Sequence, residues 1–173
     1  MQIKRCDMWN KIRKFLAVLT ALSVLAGFTG CSDILELFDE TEISYEAVGT
    51  LESLDEESIT EDGRYTHCDD VAYYIHIYGH LPDNFITKGE ARELGWEDGG
   101  LDDYMYGGCI GGNRFGNYEG LLNEAEGREY WECDIDTMHQ DERGAKRIVY
   151  SNDGLIYYTE DHYASFVLLY GEP

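Results

Sequence analysis

The sequence predicts an α+β fold, with helices first and an antiparallel sheet after them. Three observations carry that prediction. Apolar residues recur at helical spacing in "THCDDVAYYIHIYG". A start signal and a stop signal bracket a second helical stretch in "LPDNFITKGEARELGW". Beyond residue 107, short runs rich in β-branched and aromatic residues alternate with turn residues. Helices grouped ahead of adjacent strands, rather than interleaved with them, mark the α+β class.

The elements follow in order. Val71, Tyr74, Ile75 and Tyr78 share one helical face; Thr66 or Asp69 can cap the start, and Gly79 can stop the helix. In the second helix Thr87 and Glu90 have the spacing of a capping box, and Gly95 ends it. "LDDYMYG" supplies a short third helix. The strand runs are "GCIGGNRF", "REYWECDI", "KRIVYS", "LIYYT" and "SFVLLY". Between the third and fourth, Ser151, Asn152, Asp153 and Gly154 form a hairpin connection.

The first 62 residues do not belong to this pattern. Lys4, Arg5, Lys11, Arg13 and Lys14 precede a 14-residue apolar run, Phe15–Phe28. That is short for a membrane span and right for a signal-peptide core. It leads into "FTGC", which looks like a bacterial lipobox ending at Cys31, so residues 1–30 are expected to be removed and Cys31 to carry lipid. Ordinary secretion with cleavage nearby is the alternative. Either route puts the mature chain outside the cytoplasm. Residues 32–62 hold 12 acids and no Lys or Arg, as in a solvated, self-repelling spacer. The domain is then expected over 63–173.

Charge and cysteine narrow the chemistry. Residues 31–173 carry 34 acids and eight bases, a formal −26, and residues 63–173 alone carry −14. Such a surface repels polyanions at long range. Cys68, Cys109 and Cys133 remain in the domain, so at most one disulfide can form among them. No CxxC or Cys/His pair has zinc spacing, and no metal or other cofactor is expected.

Four regions could do chemistry. Lys88 would open its helix, where a positive charge opposes the dipole; it is either a tolerated surface lysine or one that addresses an anion together with free N–H groups. Alternation puts Tyr130, Glu132 and Asp134 on one sheet face, either solvated or presenting Glu132 as a general base. Arg143, Lys146 and Arg147 gather three of the domain's eight bases within five residues, as an anion site or as partners of Asp141 and Glu142. His162 follows a strand in "LIYYTEDHYASF", as a buried structural residue or a proton carrier.

These regions, in this order, closely resemble the barnase and binase family of secreted guanyl-preferring microbial ribonucleases. "LPDNFITKGEARELGW", "IGGNRFGNYEG", "GREYWECDI" and "RIVYSNDGLIYYTEDHYASF" carry the likeness, which runs from about Cys68 to Phe166. The resemblance implies N-terminal helices packed on a five-stranded antiparallel sheet, and a monomer acting on RNA. It implies Glu132 as general base, His162 as general acid, and Lys88, Arg143 and Arg147 as phosphate-binding cations. Phe115, Asn117, Tyr118 and Glu119 fall on the guanine loop, with Glu119 accepting from the base and Phe115 packing on it. Tyr163 falls on a substrate-positioning tyrosine, Arg128 and Asp153 on a structural ion pair. An inhibitor of the barstar kind is the partner such a family brings with it.

The sequence departs from the family in places. The domain is acidic where the family is basic. Tyr118 and Trp131 stand where arginines are usual, and the segment from Asp136 to Arg147 is one residue longer. Two other readings therefore stay open: a non-catalytic binding lipoprotein on the same scaffold, and a ribonuclease toxin aimed at competing cells.

Overall fold

The computed structural model describes residues 59–173. The expected signal segment 1–30, the lipidation candidate Cys31 and spacer residues 32–58 lie outside the described residues.

Helix α1 (Cys68–Tyr78) buries Val71, Ala72, Tyr74 and Ile75 and ends at Gly79, whose φ of 76° lets its N–H reach the Ile75 carbonyl. The cap differs from expectation. His67 is the N-cap and makes no side-chain cap bond. The Thr66 hydroxyl is used elsewhere, accepting from the N–H groups of Thr137 at 2.9 Å and Met138 at 3.2 Å. Asp69 and Asp70 in the first turn still favour the positive end of the helix. Tyrosine hydroxyls fasten the preceding segment to this helix: Tyr74 donates to the Glu61 carbonyl at 2.7 Å and Tyr78 to that of Ile59 at 3.4 Å.

Strand β1 (Phe85–Ile86) leads directly into helix α2 (Lys88–Glu93). The capping box is present: Thr87 Oγ1 accepts from the Glu90 N–H, and Glu90 accepts from the Thr87 N–H at 2.8 Å. "LDDYMYG" is not a helix but a run of turns. Asp102 takes the Gly107 N–H at 2.8 Å, and Gly107 has a φ of 65°. The six residues between Gly100 and Gly107 give too few turns to offset helix nucleation.

The five strand runs become β2 (Cys109–Phe115), β3 (Tyr130–Asp134), β4 (Arg147–Ser151), β5 (Ile156–Thr159) and β6 (Val167–Tyr170). They form an antiparallel meander in sequence order, and β1 adds a short parallel strand beside β2, giving six strands rather than five. Two residues carry no periodicity, so this strand leaves no signal in the sequence. A bulge between Gly111 and Asn113 shifts the β2–β3 register. Gly111 lies so close to β3 that an added Cβ would fall 2.7 Å from that of Cys133.

The main core lies between α1 and the sheet, where Val71, Ala72 and Ile75 meet Cys133, Ile148, Ile156 and Tyr158. Cys109 and Cys133 are free, buried thiols. The opposite sheet face carries a second cluster of Leu122, Tyr130, Val149, Leu155 and Tyr157.

Candidate active site

Period-2 alternation puts Glu132 and Asp134 on the sheet face away from α1, and cross-strand pairing sets Glu132 against Val149 and Asp134 against Arg147. The face is not simply solvated. Glu132 is only 8% exposed. Lys88 Nζ reaches its Oε1 at 2.8 Å, and the Tyr163 hydroxyl donates to its Oε2 at 2.5 Å. Both carboxylate oxygens therefore have donors, and a helix and a loop close over the strand. Burial, and then the Glu132 carboxylate, hold the Tyr163 phenol well above its ordinary pKa, so it stays a donor.

Lys88 occupies the first turn of α2 as expected, but its own N–H is not free. It donates to Asn113 Oδ1 at 3.1 Å. The ammonium alone faces the carboxylate. Asn113 pairs with Glu132 across β2 and β3, so one residue ties the strand to the helix that carries the lysine.

The basic cluster divides. Arg143 forms a two-pronged pair with Asp134, Nε to Oδ2 at 2.6 Å and Nη2 to Oδ1 at 3.0 Å. Arg147 Nε lies 2.8 Å from Asp134 Oδ1, but its N–H does not point at that oxygen, so the attraction is coulombic. Arg147 Nη1 instead donates to the Lys146 carbonyl at 2.7 Å. Lys146 turns away to Asp136 at 2.5 Å. The alternative pairing with Asp141 and Glu142 does not occur among the described residues; Asp134, 2% exposed, gathers both arginines beside Glu132. Sequence reasoning missed that role for Asp134, although alternation had already placed it on the right face.

His162 is exposed, on a loop held in an uncommon shape. His162 and Tyr163 have φ of 55° and 74°, a pair of adjacent non-glycine residues in the left-handed region. The loop's bonds hold that shape. Thr159 Oγ1 accepts from the Tyr163 N–H at 3.0 Å, and Asp161 accepts from the Ser165 N–H at 2.9 Å and from the Ser165 hydroxyl at 2.6 Å. The Ser165 hydroxyl, with the backbone and Thr159 bonds, holds Asp161 below the usual carboxylate range. The His162 N–H donates to the Ala145 carbonyl at 3.2 Å, tying this loop to the arginine segment. The imidazole is thus not a buried structural group.

The loop after β2 divides its residues by task. Asn117 uses both ends of its amide on Leu122, accepting from N–H at 3.0 Å and donating to C=O at 3.1 Å. It shapes the loop. Phe115 packs on Tyr163 and Phe166, with centroids 5.3 and 6.1 Å apart. Tyr118 is 95% exposed. Its ring leans on Gly116, where an added Cβ would fall 2.3 Å from it. Glu119 is exposed beside it. Arg128 and Asp153 form the expected ion pair at 2.8 Å.

Comparison with known proteins gives the family. The sequence model of the ribonuclease family matches residues 68–170. A ribonuclease of Heyndrickxia coagulans is 49% identical over 100 residues, which are 57% of this chain and 91% of that one. A ribonuclease of Bacillus intermedius is also 49% identical over 100 residues, or 57% of this chain and 61% of its own length. Guanyl-specific ribonuclease St of Saccharopolyspora erythraea is 40% identical over 72 residues, 42% of this chain and 67% of the other. The chain belongs to the ribonuclease family.

Proposed function

We propose that the protein is a guanyl-preferring endoribonuclease that acts outside the cytoplasm by transesterification. One observation carries the reading. A buried carboxylate, Glu132, lies between Lys88 and Tyr163, beside two arginines on Asp134 and next to a strained loop bearing an exposed histidine.

RNA supplies its own nucleophile. Glu132 takes the proton of the 2′-hydroxyl, the 2′-oxygen attacks the adjacent phosphorus, and His162 protonates the departing 5′-oxygen. Lys88, Arg143 and Arg147 stabilise the charge that grows on the phosphoryl oxygens. Because Lys88 is held on Glu132, an arriving phosphate competes for the ammonium and frees the base. The 2′,3′-cyclic phosphate is then hydrolysed with the two roles reversed. Glu119 accepts hydrogen bonds from the guanine edge, on a loop whose shape Asn117 fixes. The name of the Saccharopolyspora relative supports the guanine preference. The apolar N-terminal run and Cys31 support export and a lipid anchor on the membrane, and the family likeness supports a barstar-like inhibitor as partner.

The test is incubation of the full chain with the four NpA dinucleotides in EDTA, followed by product analysis. The expected result is cleavage of GpA well ahead of the others, with guanosine 2′,3′-cyclic phosphate appearing first. Equal cleavage of all four, or complete loss of activity in EDTA, contradicts the proposal.

A further inference from the structure

The segment from Ile135 to Lys146 joins β3 to β4 and bears on the whole site. It carries Arg143, leads into Arg147, and its Ala145 carbonyl holds the His162 N–H. A cleft of about 470 Å³ opens along it, lined by the segment's own Asp136, Gln140, Glu142, Arg143 and Lys146, among others. Ile135 sits in the core, Thr66 holds the Asp136, Thr137 and Met138 N–H groups, and the Asp141 carbonyl accepts from the Gly100 N–H. Two further ties beside these are histidine–aspartate contacts to different parts of the molecule. His67, just before α1, places Nδ1 2.8 Å from Asp136 Oδ1. His139, on the segment, places Nδ1 2.8 Å from Asp102 Oδ2 in the loop before β2. Asp136 and His139 have φ of 59° and 58°, so both tied points lie on strained backbone that their surroundings must hold.

We propose that these two contacts are pH-sensitive clasps that position the arginine-bearing segment. The proposal rests on the phosphate-binding role given to Arg143 and Arg147. With both imidazoles charged, the segment is clasped on two sides. When those charges are lost, each clasp keeps at most a hydrogen bond from a neutral imidazole to the carboxylate.

The surroundings have the right signs. Asp136 faces His67 on one side and Lys146 on the other, at 2.5 Å, while Asp69 and Asp70 lie in the helical turn that His67 precedes. Burial pushes the Asp136 carboxyl up, but Lys146 and His67 outweigh it and hold the group low. The His139 ring lies 4.8 Å from that of Tyr106, whose carbonyl accepts from Arg64. His139, and then the Gly107 N–H, hold Asp102 below the usual carboxylate range. Asp141 and Glu142, on the segment itself, add exposed negative charge.

The test uses amide exchange in the full chain. The N–H groups of Thr137 and Met138, both bonded to Thr66 Oγ1, report on the segment, and Val149 in β4 serves as reference. After correction for intrinsic exchange, their protection relative to Val149 should fall about three- to tenfold from pH 5.5 to pH 8 in the wild type. The fall should vanish in His67→Gln/His139→Gln, and each single variant should remove part of it, so the test survives if the double variant does not fold. In parallel, the KM of the wild type for GpA, compared with that of the double variant, should be lower at pH 5.5 and equal at pH 8. Unchanged wild-type protection across the range, or a fall that persists in the variants, overturns the clasps. If the exchange behaves as expected but the wild type cleaves no RNA, the clasps stand and the proposed function fails.

Discussion

Glu132 is the side chain whose surroundings say most about its task. Its two oxygens are held by Lys88 and Tyr163, so replacing it has two separable effects. Glu132→Gln keeps the shape, leaves one of the two donors facing an NH2 group, and should lower kcat about 10²- to 10⁴-fold with a smaller loss of Tm than Glu132→Ala. Glu132→Ala should lose the same activity and in addition about 1–3 kcal/mol of stability, because its donors are left without partners. Thermal denaturation beside steady-state kinetics checks both. His162 stands on the surface, so His162→Gln should lower kcat over the same range and leave Tm unchanged. Tyr118 offers a contrast. Its exposed ring stands where the family has an arginine. Tyr118→Arg should steepen the fall of log Kd affinity for long RNA with log salt by about one unit, as expected for one added phosphate contact. An unchanged slope would place this residue away from the RNA path.

Helix α2 and the β3–β4 connection deliver the cations, and each depends on a local device. The Thr87–Glu90 capping box fixes where α2 begins, and therefore where Lys88 points. Thr87→Ala should cost about 1 kcal/mol, and it should lower kcat/KM on GpA although Thr87 touches no substrate. Asp134 is buried with two arginines on it, so Asp134→Asn should cost about 3–5 kcal/mol. Chemical denaturation measures it, and a loss below 1 kcal/mol would mean that the arginines hold their places without it. The capping box was legible in the sequence because cap, third residue and stop form a local code. So were the two helices and the strand runs of the meander, since each has its own periodicity. The LDDYMYG helix and the two-residue strand β1 were misread because such short pieces take their conformation from neighbours. Lys88, Glu132, Arg147 and His162 stand out as candidates from the residues and their resemblance alone. The partner of Lys88's own N–H was not legible, because Asn113 lies 25 residues away across a bulge. Nor was the sharing of Asp134, which requires knowing that β3 pairs with β4 in that register.

The molecule as a whole carries an acidic field over this small cationic site, with residues 63–173 at a formal −14. At very low salt that field repels RNA before the arginines can act, while at ~0.15 M the screening length is only about 8 Å. For the full chain, kcat/KM on long RNA should therefore rise from very low to moderate salt and then level or fall, and GpA should show much less of the rise. A monotonic fall for long RNA would mean that local positive charge governs approach. Stability should depend on pH through the same carboxylates. Asp102, Asp136, Asp153 and Asp161 are all held below their ordinary value of 3.8 by hydrogen bonds and cations. A depressed folded-state pKa contributes stability that is present above the unfolded value and lost as pH falls through the folded one. Unfolding free energy should thus decline below about pH 4, which a denaturant series at pH 2.5 to 6 would reveal.

The division of labour between Glu132 and His162 can be tested by changing the leaving group. A GpA analogue with sulfur in place of the bridging 5′-oxygen departs as a thiolate and needs little protonation. On that substrate His162→Ala should recover most of the wild-type rate, because the missing acid is no longer required. Glu132→Ala should stay slow, because the 2′-hydroxyl must still lose its proton. Equal recovery in both variants, or recovery in Glu132→Ala alone, would contradict the assignment of base and acid.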